Sequence, residues 1–201
     1  MNIVIIKYNA GNIRSVLFAL ERLGYTGTVT DDPELIQNAS HVIFPGVGAA
    51  NSAMPYLVDR GLDNVIRSLQ QPFLGICLGM QLMCKHSEEN DTECLGLFDI
   101  AVKKFTEHDG QGHSLKIPHM GWNKLEDLES PLFGGLDENA FCYFVHSYYA
   151  EISDYTIATT KYGLPFSSAL HRDNFYGVQF HPEKSAKVGE EILRNFLQLK
   201  N

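Results

Sequence analysis

Three short, wholly apolar runs constrain this chain more than anything else in it. Ile3–Ile6, residues 42–44 (Val-Ile-Phe) and residues 73–76 (Phe-Leu-Gly-Ile) carry no polar alternation and are too short for buried helices. That is the pattern of strands covered on both faces. Between them the period changes. After Gly11-Asn12, the residues Ile13, Val16, Leu17, Leu20 and Leu23 recur at helical spacing until Gly24, which suits a helix stop. Residues 26–30 read as a strand. Asp31-Asp32-Pro33 then opens a short helix that ends near Asn38. The run 42–44, the third strand in order, stops at Pro45-Gly46-Val47-Gly48, and residues 62–69 place Leu62, Val65, Ile66 and Leu69 on one helical face. The fourth strand, 73–76, leads straight into Cys77 and a helical stretch over 78–84. Strands alternating with helices in this order predict an α/β fold whose mostly parallel central sheet is flanked by helices.

The second half reads differently. Short strands are predicted over 100–105, 141–145, 155–161, 167–171 and 175–178, separated by turns at Asp109-Gly110, Gly134-Gly135, Gly163 and Asp173-Asn174. They predict an added antiparallel set. A closing helix from about 186 to 199 presents Val188, Ile192, Phe196 and Leu199 to the core. With no repeat, low-complexity tract or linker, residues 1–201 are expected to form one domain.

Composition removes several function classes. Hydrophobic residues make up 44% and charged residues 20%, as in ordinary globular domains, and the net charge of −8 argues against a broad nucleic-acid footprint. No apolar run approaches the ~20 residues of a membrane span. Ile3–Ile6 has no basic stretch before it and reads as a strand, not a signal peptide. Cys77, Cys84, Cys94 and Cys142 are irregularly spaced, which predicts free thiols in a reduced, cytoplasmic protein.

The strongest chemical signal is Phe73-Leu74-Gly75-Ile76-Cys77-Leu78-Gly79-Met80-Gln81. A buried strand ending in Gly-x-Cys-x-Gly before a helix is the thiol form of a nucleophile elbow, and the helix start favours thiolate. Alone, Cys77 reads equally well as a small core residue. A second signal answers it. Gly177-Val178-Gln179-Phe180-His181-Pro182-Glu183-Lys184-Ser185 delivers a histidine from a strand, and in extended chain His181 and Glu183 share one side. A carboxylate there orients the imidazole, as the third member of a triad does. The glycines around Val47 supply a loop whose N–H groups can face the elbow and bind an oxyanion. His119 and His146 fit packing as well as contact. The other histidines (His41, His86, His108, His113, His171) lack metal-ligand spacing, so no metal or cofactor is expected.

Together the elbow 75–81, the loop 45–48 and the ending His181-Pro182-Glu183 resemble the class I (triad) glutamine amidotransferases, in family order across residues 45–183. Lys116-Ile117-Pro118-His119-Met120-Gly121-Trp122-Asn123 and Tyr143-Phe144-Val145-His146-Ser147-Tyr148-Tyr149 resemble the branch that forms glutaminase subunits of imidazole glycerol phosphate synthase, as does the opening 8–16. The opening departs from that branch at Lys7, where an acidic residue is common, and at Asn9-Ala10, where Gly-Met is common. The resemblance implies a class I amidotransferase-like fold and hydrolysis of glutamine to glutamate and ammonia by Cys77, His181 and Glu183. It implies that Val47 and Leu78 form the oxyanion hole and that Gly48, Gln81, Ser147 and Tyr148 line the glutamine pocket. It also implies a separate (β/α)₈-barrel cyclase as heterodimer partner, since such a barrel needs ~250 residues of its own. Trp122 and Lys184 would meet that partner. Three other readings stay open: a glutaminase serving another acceptor, a free-standing γ-glutamyl thiol hydrolase, and a redox or binding module in which Cys77 is a sensor thiol. The last leaves the His181–Glu183 pair without a purpose.

Overall fold

The four residues of β1 (Ile3–Ile6) are all buried, and they divide by alternation between two cores. Ile3 and Ile5 face one side of the sheet with Val16 and Leu20, while Val4 and Ile6 face the other with Leu57 and Ile66. The computed structural model describes residues 1–9, 11–108, 111–137 and 139–200. The departure at Ala10 and the turn expected at Asp109-Gly110 lie outside the described residues. The first half follows as α1 (Ile13–Arg22), β2 (Gly27–Thr30), α2 (Pro33–Gln37), β3 (His41–Gly46), α3 (Ala50–Asp59), α4 (Leu62–Ser68), β4 (Phe73–Cys77) and α5 (Leu78–Met83). The expected stops are present. Asp32 caps α2 by accepting from the Glu34 N–H at 2.8 Å, and Gly24 follows α1 at φ +83°.

The second half comprises β5 (Cys84–Ser87), β6 (Thr92–Glu93), β7 (Phe98–Lys104), β8 (His119–Lys124), β9 (Phe141–His146), β10 (Tyr148–Ala150), β11 (Thr156–Tyr162), β12 (Leu164–Arg172), β13 (Phe175–Val178) and α6 (Ala186–Gln198). Strand order in the large sheet is β2-β1-β3-β4-β13-β12-β10-β7-β5-β6, with β11 paired to β12. From β2 to β13 all pairs are parallel. The expected antiparallel set begins beyond them, with β12 against β13 and β10 against β12 and β7.

The structure corrects several expectations. The sequence pattern groups β13 with the antiparallel strands, yet β13 lies parallel to β4, because the turn at Asp173-Asn174 reverses the chain out of β12 and lays β13 in the sheet centre. β3 does not end before Pro45: Pro45 and Gly46 pair with Ile76 and Cys77. The helix after Cys77 ends at Met83, and Cys84 opens β5. Helix α3 is not evident in the sequence, since Pro55 interrupts its pattern, nor are the short strands β5, β6, β8 and β10. His41 is buried, and its Nε2 lies 3.1 Å from the distant Leu199 carbonyl. Of the face expected on α6, Ile192 and Phe196 are buried, while Val188 and Leu199 pack at its margin.

β8 and β9 form a separate antiparallel ribbon in which Trp122 pairs with Tyr143 and His119 with His146. No helix among the described residues is long and apolar enough to cross a membrane.

Close packing of α5 on the sheet fixes the β4–α5 turn. A Cβ added at Gly79 would overlap the Phe44 carbonyl oxygen of β3, and one at Gly75 would come within 2.9 Å of the Gly79 carbonyl carbon. Gly79→Ala therefore forces α5 off the sheet at an expected cost of ~1–3 kcal/mol, the usual range for overpacking. Urea denaturation measures it; an unchanged midpoint would mean that α5 yields without loss.

Candidate active site

β4 and β13 lie side by side in parallel, with Ile76 opposite Val178. Their C-terminal ends therefore release Cys77 and Gln179-Phe180-His181 at the same edge of the sheet, where sites of open α/β sheets form. Cys77 sits at the break between β4 and α5 with φ +53° and ψ −108°. A non-glycine residue at positive φ is strained, and the pairing of β4 on both sides holds it there. Its sulfur lies 3.6 Å from Gln179 Nε2 and 3.9 Å from the Val145 carbonyl oxygen.

His181 is fully buried. Its backbone N–H donates to the Tyr143 carbonyl at 2.9 Å, and its carbonyl accepts from the Ser185 hydroxyl at 2.6 Å. That same hydroxyl accepts from the Tyr143 N–H at 2.9 Å, so one serine ties the histidine loop to β9. His181 Nδ1 is 2.7 Å from Glu183 Oε1, and His181 Nε2 has no partner among the described residues. Glu183 reaches Nδ1 from a single 3₁₀ turn (Pro182–Lys184), not from the extended chain expected from the sequence. Asn12, in left-handed backbone at φ 76°, donates its side-chain amide to the same Glu183 oxygen. Burial lowers the His181 pKa, but the adjacent Cys77 sulfur and the Glu183 carboxylate together outweigh it, and the net shift is upward. The imidazole is thus held ready to carry a proton.

A cavity of about 340 Å³ opens beside the sulfur. Val47, Gly48, Leu78, Gln81, Ser147 and Tyr148, all expected at the site from the sequence, line it together with Cys77. Gln81 Nε2 donates to the Tyr148 carbonyl at 3.0 Å and to Gln179 Oε1 at 2.9 Å. The Val47 carbonyl accepts from the Gly11 N–H at 3.4 Å. His181 and Glu183 do not line the cavity; they are buried next to it.

Two groups here escape sequence reasoning. Glu89 contributes a carboxylate to the cavity wall and accepts from the Ala50 N–H at 2.7 Å. In sequence it belongs to Glu88-Glu89-Asn90-Asp91, which reads as a solvated acidic turn. Gln179 reads only as part of the strand that delivers His181, yet its fully buried amide touches the sulfur. Its one signal is an amide at the end of an otherwise apolar strand.

Trp122 and Lys184 lie outside the cavity but near each other. Trp122 is 54% exposed on the outer face of the β8–β9 ribbon, which excludes a core role, and it meets Tyr143 edge-on at 6.2 Å. The Lys184 ammonium stands 6.0 Å from the same Tyr143 ring. Met120, 57% exposed, and Phe141, 44% exposed, extend this apolar face.

The family model for "Glutamine amidotransferase class-I" matches residues 4–199. The chain is 56% identical over 199 residues to "Imidazole glycerol phosphate synthase subunit HisH" of Bacteroides thetaiotaomicron, covering 99% of this chain and 100% of that protein. It is 46% identical over 205 residues to the protein of the same name in Vibrio cholerae, with 98% of each covered. Among solved structures, a glutamine amidotransferase superposes with a TM-score of 0.73 at 18% identity, over 97% of each chain. PurLQS of Thermotoga maritima matches at a TM-score of 0.71 and 15% identity, over 98% of this chain and 97% of that one. These structural likenesses carry the fold, and the full-length sequence matches carry the lineage: the chain belongs to the class I glutamine amidotransferases.

Proposed function

We propose that this chain, as one domain over residues 1–201, is the glutaminase subunit of an imidazole glycerol phosphate synthase, with Cys77, His181 and Glu183 as its triad. One observation carries the chemistry: His181 engages Glu183 through Nδ1 at 2.7 Å and leaves Nε2 free beside an elbow cysteine that opens on a cavity. The Cys77 thiolate attacks the side-chain amide carbon of glutamine. His181, stabilised as imidazolium by Glu183, gives its Nε2 proton to the departing ammonia. It then takes a proton from the water that hydrolyses the glutamyl thioester. The N–H groups of Leu78 and Val47 receive the oxyanion. Gly48, Gln81, Ser147 and Tyr148 enclose the substrate, and the Glu89 carboxylate takes its α-ammonium group. The four cysteines are free, in keeping with a reduced, cytoplasmic setting.

Ammonia released to water at neutral pH is protonated and lost as a nucleophile, so synthesis calls for a partner seated over the site. The relatives' shared name, that of a synthase subunit, supports the same reading, and we infer a (β/α)₈-barrel cyclase as that partner. The exposed face of Met120, Trp122 and Phe141, with Lys184 beside Tyr143, is the surface we assign to it. The β9 edge of this ribbon touches the site, since the Val145 and Tyr143 carbonyls contact the Cys77 sulfur and the His181 N–H. Pressure on the outer face therefore acts on the triad, and the two glycines flanking Val47 give the oxyanion loop freedom to respond.

Cys77→Ala is expected to abolish glutamine hydrolysis while the complex still uses added ammonia; residual glutaminase activity would remove Cys77 from its role. Native protein treated with iodoacetamide at neutral pH should be labelled at Cys77 alone. Burial pushes Cys94 and Cys142 up to about 12 and Cys84 higher still, so none of them offers thiolate. Labelling of all four at equal rates would contradict this.

Glu89→Gln keeps the shape of the cavity wall and removes its charge. Glutamine KM should rise about tenfold with a smaller change in kcat, since the lost interaction holds substrate and transition state alike.

Whether the docked partner, and the ligand that partner binds, orient the Val47 loop is tested by steady-state glutaminase rates of the chain alone, with partner, and with partner plus that ligand. A rise of ~100-fold in the liganded complex is expected, the weight of one oxyanion donor. Equal rates in all three would favour the free-standing hydrolase. Trp122→Ala should weaken partner binding by ~2 kcal/mol, as for an aromatic hot spot. Lys184→Ala should retain basal hydrolysis and lose stimulation.

A further inference from the structure

His119 and His146 are almost fully buried, and the glutaminase steps described above assign neither a role, although His146 also edges the cavity beside Cys77. They face each other across the inner side of the β8–β9 ribbon with His119 Nδ1 at 3.0 Å from His146 Nε2. His146 Nδ1 lies 2.6 Å from the Tyr148 carbonyl oxygen, and His119 Nε2 lies 3.2 Å from the Asn123 amide nitrogen. That amide nitrogen also donates to the Lys161 carbonyl at 3.0 Å. Stacking fixes the ring planes: His119 lies between Tyr162, at 4.0 Å, and Phe144, at 4.9 Å.

The direction of every hydrogen bond along this path is forced. A carbonyl only accepts, so His146 Nδ1 carries a proton. Burial among aromatic rings disfavours charge on either imidazole, taking His146 to about 3 and His119 to about 4, so each ring carries one proton only. His146 Nε2 is therefore bare and accepts from His119 Nδ1–H. His119 Nε2 is bare in turn and accepts from Asn123, whose orientation is set by the Lys161 carbonyl. At the other end the Tyr148 carbonyl also accepts from Gln81, which donates as well to Gln179, whose own amide points at the Cys77 sulfur. A continuous polar path thus runs from β11 to the Cys77 sulfur.

We propose that His119 and His146 are positioning residues of the glutamine site, a tautomer-locked relay that holds the Tyr148 carbonyl and, through Gln81 and Gln179, the cavity wall next to Cys77. The inference rests on the glutaminase reading of the site. Loss of the His146 donor leaves the Tyr148 carbonyl with Gln81 as its one side-chain donor and loosens that part of the cavity wall, while Ser147 and β10 stay paired to β7.

Two measurements test the relay. In protein labelled with ¹⁵N-histidine, both rings should show a pyrrole-type Nδ1 and a pyridine-type Nε2 at neutral pH. An Nε2–H tautomer or an imidazolium at either position would overturn the proposal, whatever the enzyme hydrolyses. In the complex with its partner, His146→Leu should raise glutamine KM at least about tenfold, with a smaller fall in kcat and ammonia-dependent synthesis intact. His146→Asn puts an amide nitrogen where Nδ1 stood and should hold KM within about threefold of wild type. Packing alone predicts the opposite order, since leucine fills the ring's volume better than asparagine; that order, or equal KM values, would reject the relay. A wild-type complex that hydrolyses no glutamine, with both tautomers as stated, would instead sink the functional reading.

Discussion

The parallel pairing of β4 with β13 is the constraint on which the site depends. Cys77 and Gln179 are 102 residues apart in the chain, yet adjacent strands in register bring them into contact. No local interaction does this. The pairing is made possible by β12, which runs back along the sheet and lets β13 return in the direction of β4. Apolar burial on both faces then sets the register, because a shift by one residue would exchange the two cores.

Around that join the polar groups form a graded arrangement. Glu183 is tied by His181 and Asn12 through one oxygen, while its other oxygen, His181 Nε2 and the Tyr8 hydroxyl are buried without partners among the described residues. Buried polar atoms of this kind are costly and few in native proteins, so their gathering at one end of the sheet marks where stability yields to chemistry. The Tyr8 hydroxyl abuts Gly46 at the end of β3, and burial, with a smaller contribution from Cys77, raises its pKa. It stays a neutral phenol.

Much of this is legible in the sequence, because the information is local. Buried strands show as unbroken apolar runs, and the elbow shows as glycines flanking a cysteine at a strand-to-helix change. The His-Pro-Glu stretch shows which residues meet, though it reaches that contact through a 3₁₀ turn and not the extended chain its sequence suggests. What stays hidden depends on partners far along the chain. β8 contains Gly121 and no β-branched residue, and it exists as a strand because β9 pairs with it. Glu89 looks like any exposed carboxylate until α3 places the Ala50 N–H against it. The His119–His146 contact joins two stretches that each read as packing when taken separately. The parallel direction of β13 cannot be read from Phe-Tyr-Gly-Val, since direction belongs to the topology and not to the strand.

The central place of β13 also has a consequence for the order in which the molecule is made. A ribosome delivers the elbow cysteine early and the strand that leads into His181 late, after the sheet's other strands. Until then β4 and β12 each present an open edge where β13 will lie, a template for wrong pairing in a nascent or crowded chain. Closing that gap is a non-local and therefore slow event. The same event brings Gln179 and His181 up to Cys77. The thiol thus passes its vulnerable period without these neighbours, and the assembly of the cluster and the sealing of the sheet arrive together.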